Sequence, residues 1–294
     1  MSFTSLPTAI VIIGISAALV ACGGGSAGGG TPAQTSAASS PTTAPVASTV
    51  IFTPAATDAT SLKSDPSCPL QFGFTNTADQ VGPDPLFNDQ WHLKNTGQRS
   101  GLVGEDINVV AAWSLSKGAG VQIALVDDAL EITHRDIKSN TVADASYNYR
   151  TQFKGSAFTM PCNTSDSHGT AVAGIIASSA SNAIGTVGVA PDARIVGYNA
   201  LALDKSADIA DALNRDNQRN AIYNNSWGSP DNGELNEAEP EFIAAIANGL
   251  KSGRGGLGSI FVFPAGNGGC YSIAGATGCQ ADDANLTATL TEWE

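Results

Sequence analysis

The chain has 294 residues, enough for one large domain with extensions, and 42% of them are hydrophobic. Its formal net charge is −13, from 14 Lys and Arg against 27 Asp and Glu. No basic cluster occurs, which argues against a nucleic-acid partner; the acidic balance suits cation binding or basic substrates, although net charge chiefly governs solubility.

Residues 1–22 read as an export signal. The apolar run over 10–21 is 12 residues long, short of the about 20 that span a bilayer. It ends Leu19-Val20-Ala21-Cys22-Gly23. Small residues before a cysteine resemble a bacterial lipobox, in which Cys22 is lipidated and becomes the mature N-terminus. Residues 1–8 carry no Lys or Arg, although a positively charged start is expected; an ordinary signal peptide with an incidental thiol at Cys22 is the alternative. Residues 23–66 are mostly Gly, Ser, Thr, Ala and Pro, a composition that buries no core and behaves as a flexible tether. The expected arrangement is an exported lipoprotein of a bacterial cell envelope, with a membrane anchor at Cys22, a tether, and a folded domain over 67–294. The other cysteines, Cys68, Cys162, Cys270 and Cys279, are even in number. In an exported chain that points to two disulfides of open connectivity, with Cys270 and Cys279 near enough in sequence to close a small loop.

From about Asp84 the composition becomes globular. Helical spacing of Ile107, Val110, Ala111 and Leu115 predicts a helix over 106–117. A strand at 121–126 follows, then a helix at 169–179 rich in Ala, Ile and Val, a strand at 193–199 and a helix at 207–214. A strand at 221–225, a helix at 238–251 and a strand at 259–264 complete the series. The strand segments are continuously apolar rather than alternating, as suits strands buried on both faces. Alternation of strand and helix predicts an α/β fold with a mostly parallel sheet flanked by helices. Such sheets carry functional groups beyond the C-terminal ends of their strands.

Three segments stand at such places. Asp127-Asp128 follows the first strand, where a carboxylate can orient a histidine, bind a metal or cap the next helix. Ser167-His168-Gly169-Thr170-Ala171-Val172-Ala173-Gly174 opens a helix, and a histidine there serves either structure or catalysis. Pro264-Ala265-Gly266-Asn267-Gly268-Gly269 ends the fourth strand. Its glycines allow close backbone approach and the Asn267 amide can donate a hydrogen bond, although an ordinary turn has the same composition.

Together, in this order, the three segments resemble the subtilisin-like serine peptidases, which carry Asp, His and Ser in that order along the chain. Asp84-Pro85-Leu86-Phe87, Gln90-Trp91-His92-Leu93, Asn95-Thr96-Gly97-Gln98, Asn225-Ser226-Trp227-Gly228 and Gly253-Arg254-Gly255-Gly256-Leu257-Gly258-Ser259 resemble the kexin and proprotein-convertase branch. So does Ile107-Asn108-Val109-Val110-Ala111-Ala112-Trp113. The likeness runs from about Asp84 to Gly269.

The resemblance implies roles by position. Asp127 would hold an imidazole in the right tautomer, His168 would be the general base, and Asn267 would donate into an oxyanion hole. Ser226, Trp227 and Gly228 match substrate-binding positions. Asp128 matches a position lining the second subsite, and Asp231 an acidic floor of the first, where a carboxylate pairs with Arg or Lys of a substrate. Pro230-Asp231-Asn232-Gly233 is equally strong turn chemistry. Ala129 stands where the family usually has glycine. A calcium site is also implied, with side-chain ligands from Asp84, Asp136 and Asn182 and the carbonyls of Ser179, Ile184 and Thr186; calcium takes six to eight hard oxygens.

No Gly-Thr-Ser occurs after Asn267. Ser272 has no nucleophile-like setting and Ser226 matches a structural serine. The expectation is a subtilisin-like domain incomplete at its C-terminus, a fragment that lacks the nucleophile and hydrolyses little. Two functions follow. One is a calcium-stabilised serine endopeptidase acting on proteins or peptides after basic residues, of which this is an incomplete copy. The other is a non-catalytic surface protein that binds peptides or calcium on a degenerate protease scaffold.

Overall fold

Strands β1 (Gln122–Val126), β2 (Arg194–Tyr198), β3 (Asn220–Asn225) and β4 (Ile260–Val262) pair in parallel in the spatial order β2-β1-β3-β4. The computed structural model describes residues 81–150, 154–155, 157–162, 165–228 and 238–264, together with the backbone of 270–271 and 280–281. The last two segments form a short antiparallel pair, Cys270–Tyr271 with Gln280–Ala281. Helices α1 (Val109–Ala112), α2 (His168–Ala177), α3 (Ser206–Ala212) and α4 (Pro240–Gly256) connect and flank the sheet. Among the described residues no helix is long and apolar enough to cross a membrane.

The continuous apolar pattern of β1 has the expected outcome, for all five of its residues are buried. Period-two alternation then divides them between two cores. Ala124 and Val126 join Val196, Tyr198 and Tyr223 under α3 and α4, through Ala212, Leu213, Ala245 and Ile246. Ile123 and Leu125 join Ile195 under α2, through Ala173 and Ala177, with Leu130, Ile132, Ile137 and Met160 closing the side. Burial of each such aliphatic side chain contributes about 1.5–3 kcal/mol.

β4 departs from this pattern. Ile260 and Val262 are 45% and 44% exposed, and β4 has one strand neighbour, β3, in the described sheet. The helix expected over 106–117 shrinks to the four residues of α1. Asn108 just before it is left-handed, at φ 52°. Asp106 uses its carboxylate to accept from the amides of Asn95 and Asn108, each at 2.7 Å. These bonds hold the segment in a turn, and Leu115, placed on the expected helical face, is 90% exposed. α4 extends past the expected 251 to Gly256, with non-helical backbone at Gly253, Arg254 and Gly255.

Candidate active site

β1 delivers Asp127 at its C-terminal end, with its amide donating to the Tyr198 carbonyl at 3.0 Å. The residue is only 1% exposed. Its Oδ1 accepts from the Asp128 amide at 2.8 Å and lies 2.9 Å from Nδ1 of His168, 41 positions later. Its Oδ2 is buried without a partner among the described residues. Burial pushes the Asp127 carboxyl up to about 6, against the opposing pull of the His168 hydrogen bond and the Asp128 amide. The hydrogen bond to Asp127 raises His168 from its ordinary value. The two groups therefore titrate as a unit.

His168 is the first residue of α2, and its side chain is 57% exposed. With Nδ1 engaged by Asp127, Nε2 is the nitrogen left to take a proton from an incoming group. Among the described residues no hydroxyl or thiol is hydrogen-bonded to it.

Three contacts seat α2 beside the 127–131 loop. The Asp128 carboxylate accepts from the amides of His168 at 3.1 Å and Gly169 at 2.8 Å. Thr170 Oγ1 accepts from the Glu131 amide at 3.0 Å. Gly169 permits the approach, because a Cβ there would overlap the Ala129 carbonyl oxygen and lie 2.8 Å from Asp127 Cβ. The glycine directly after the histidine was the sequence signal for this close seating. The helix-bonding of Asp128 and the Glu131–Thr170 tie had no such signal.

The Ser226-Trp227-Gly228 segment is drawn to the same strand ends. Trp227 Nε1 donates to the Val126 carbonyl at 2.9 Å, one residue before Asp127. The indole packs edge-on against Phe242 and Phe263, at 6.2 and 6.0 Å between centroids. Ser226 Oγ accepts from Asn224 Nδ2 at 3.0 Å, and Gly228 is exposed. Asp231, Asn267 and Cys22 lie outside the described residues. Cys162 is held in a disulfide.

A second cluster lies around the turn that follows α2. Asp84 accepts from the amides of Ser181 at 2.7 Å and Asn182 at 3.0 Å. Asp136 accepts from Asn182 Nδ2 at 2.9 Å and from the Thr186 amide at 3.0 Å. Asn182 Oδ1 accepts from the Ile184 amide at 2.9 Å. A Cβ on Gly185 would overlap the Asp136 carboxylate. The carbonyls of Ser178, Ser181, Gly185 and Val187 accept hydrogen bonds, whereas those of Ser179, Ile184 and Thr186 carry none among the described residues. The oxygens of these two carboxylates, the carboxamide and the three carbonyls are of the hard kind that calcium takes, and those of the side chains accept hydrogen bonds within the turn. Among the described residues no group of three or more His, Cys, Asp or Glu is arranged to hold a metal ion.

The chain is similar to known proteins in sequence and in fold. Residues 118–291 match the family model for the subtilase family. Neuroendocrine convertase 2 of Mus musculus and that of Homo sapiens are each 40% identical over 202 residues, covering 66% of this chain and 31% of the relative. The chain thus spans about a third of the length of the curated relatives it matches. The serine protease of Aeromonas sobria, solved in complex with a chaperone, superposes with a TM-score of 0.56 at 29% identity, covering 71% of this chain and 38% of that one. With an aspartate at a strand end bonded to a histidine at a helix start, on a parallel sheet flanked by helices, the chain belongs to the subtilase family of serine peptidases.

Proposed function

We propose that this chain carries the acid–base half of a serine endopeptidase site. The observation that carries the reading is the 2.9 Å contact between buried Asp127 and Nδ1 of half-exposed His168. In that chemistry His168 Nε2 takes the proton of a serine nucleophile and returns it to the leaving amine. Asp127 holds the ring and stabilises the imidazolium. The oxyanion donor, assigned to Asn267, lies outside the described residues, and no serine of the chain is assigned as the nucleophile. Asp128 and Asp231, set against the likeness to convertases, support cleavage after basic residues. Calcium would be held by Asp84, Asp136, Asn182 and the carbonyls of Ser179, Ile184 and Thr186, where it would pin the turn after α2. Cys22 supports export and lipid anchoring at a bacterial envelope.

The test is fluorophosphonate labelling of the protein isolated from its native source, with hydrolysis of peptides bearing Arg or Lys before the scissile bond. Labelling and hydrolysis, both abolished by His168→Ala, are expected. A folded protein that takes no label and cleaves no peptide overturns the enzyme reading. It would leave the second reading, peptide binding on the same scaffold.

A further inference from the structure

We propose that Asp128 is a positioning residue, clamping the backbone of His168 so that its imidazole meets Asp127. The inference rests on the reading of Asp127 and His168 as the acid–base pair.

The first turn of an α-helix leaves amide donors without intrahelical partners, and a side chain at the cap position ordinarily satisfies one. In α2 the cap residue Ser167 makes no side-chain cap bond. Asp128 supplies the acceptors from 40 positions away. Its Oδ2 takes the His168 amide at 3.1 Å and its Oδ1 the Gly169 amide at 2.8 Å. The Asp128 amide meanwhile donates to Asp127 Oδ1, the same oxygen that faces His168 Nδ1. A closed ring results: Asp127 side chain, His168 ring, His168 backbone, Asp128 carboxylate, Asp128 amide, Asp127 side chain. The His168 side chain is 57% exposed, so packing alone does not fix its place. Two adjacent residues at one strand end hold it by ring and by backbone. Asp128 also accepts from the Ala129 amide at 2.6 Å, which stiffens the loop that bears the clamp. Each carboxylate oxygen offers two lone pairs, so the clamp leaves acceptor capacity on Oδ2.

The experiment is proton and nitrogen NMR of the full chain, following the imidazole Hδ1 resonance of His168. That proton is slow to exchange only while bonded to Asp127. Asp128→Ala is expected to lose the resonance. Asp128→Ser and Asp128→Asn remove the charge but keep an acceptor, and are expected to retain it. A folded Asp128→Ala protein that keeps the resonance overturns the clamp, as do all three variants behaving alike. Should Asp128→Ala fail to fold, hydrogen exchange of the native chain decides. Slow exchange of the His168 and Gly169 amides is expected, and exchange at the rate of unprotected first-turn amides overturns the proposal. Asp127→Asn separates the two readings. Loss of the resonance there with retention in Asp128→Ala sinks the clamp alone, whereas retention in Asp127→Asn sinks the pair itself.

Discussion

Glu131 offers a test of how burial shapes the charge of this fold. The residue is 7% exposed, and its Oε1 has no partner among the described residues. It lines a cavity of about 1040 Å³ beside α2. Burial pushes its carboxyl from 4.5 up to about 7. The folded state therefore holds a proton that the unfolded chain releases. The cost of ionisation is absent below about 4.5, grows as pH rises, and is complete above about 7. That rise corresponds to about 3 kcal/mol, at about 1.36 kcal/mol for each tenfold change in the proton equilibrium. Glu131→Gln removes the titration. Urea unfolding of both proteins at ~pH 4 and ~pH 8 is expected to show the variant gaining on the native chain by up to about 3 kcal/mol at the higher pH. Parallel pH curves for the two proteins would refute the burial reasoning.

Gly169→Ala places a Cβ against the Ala129 carbonyl and 2.8 Å from Asp127 Cβ; thermal or urea melts should record about 1–3 kcal/mol of destabilisation. Asp127 and His168 are both raised, so the folded state binds more protons and stability falls as pH rises from near 3.8 through the raised value of His168. Asp127→Asn should flatten that dependence in pH-resolved melts. Chelation by EDTA should lower the melting temperature and added calcium restore it, with Asp136→Asn abolishing the response. Trp227→Phe loses the donor to the Val126 carbonyl, and denaturant titration should show a cost of about 1 kcal/mol or more.

Much of this site was legible in the chain. β1 reads as a strand because Ile123, Ala124, Leu125 and Val126 leave no polar face, and a carboxylate directly after such a strand is exposed to the next element. His168 reads as a helix start because the residues after it are small and apolar. Other features rest on contacts that no local pattern encodes. The resemblance places Asp128 at a substrate subsite, and no local pattern shows that its carboxylate also accepts from the amides of Ala129, His168 and Gly169. The periodicity over 106–117 gave no sign that Asp106 and a left-handed Asn108 would cut the helix to four residues. Glu131 is tied to α2 through Thr170 and shares its cavity with Leu86, Gln90 and Trp91, a long-range arrangement. The exposure of Ile260 and Val262 in β4 is likewise something an apolar run does not reveal.

The order of segments along the chain has a consequence for biogenesis. Asp127, Asp128 and His168, with β1, β2 and α2, all precede residue 199. At about 5–20 residues per second the ribosome takes several seconds to pass from that point to the end of α4. The residues of the ring that joins Asp127, Asp128 and His168 are thus all synthesised before β4. Synthesis therefore sets the acid and the histidine it faces ahead of β3 and β4, the strands that complete the described sheet.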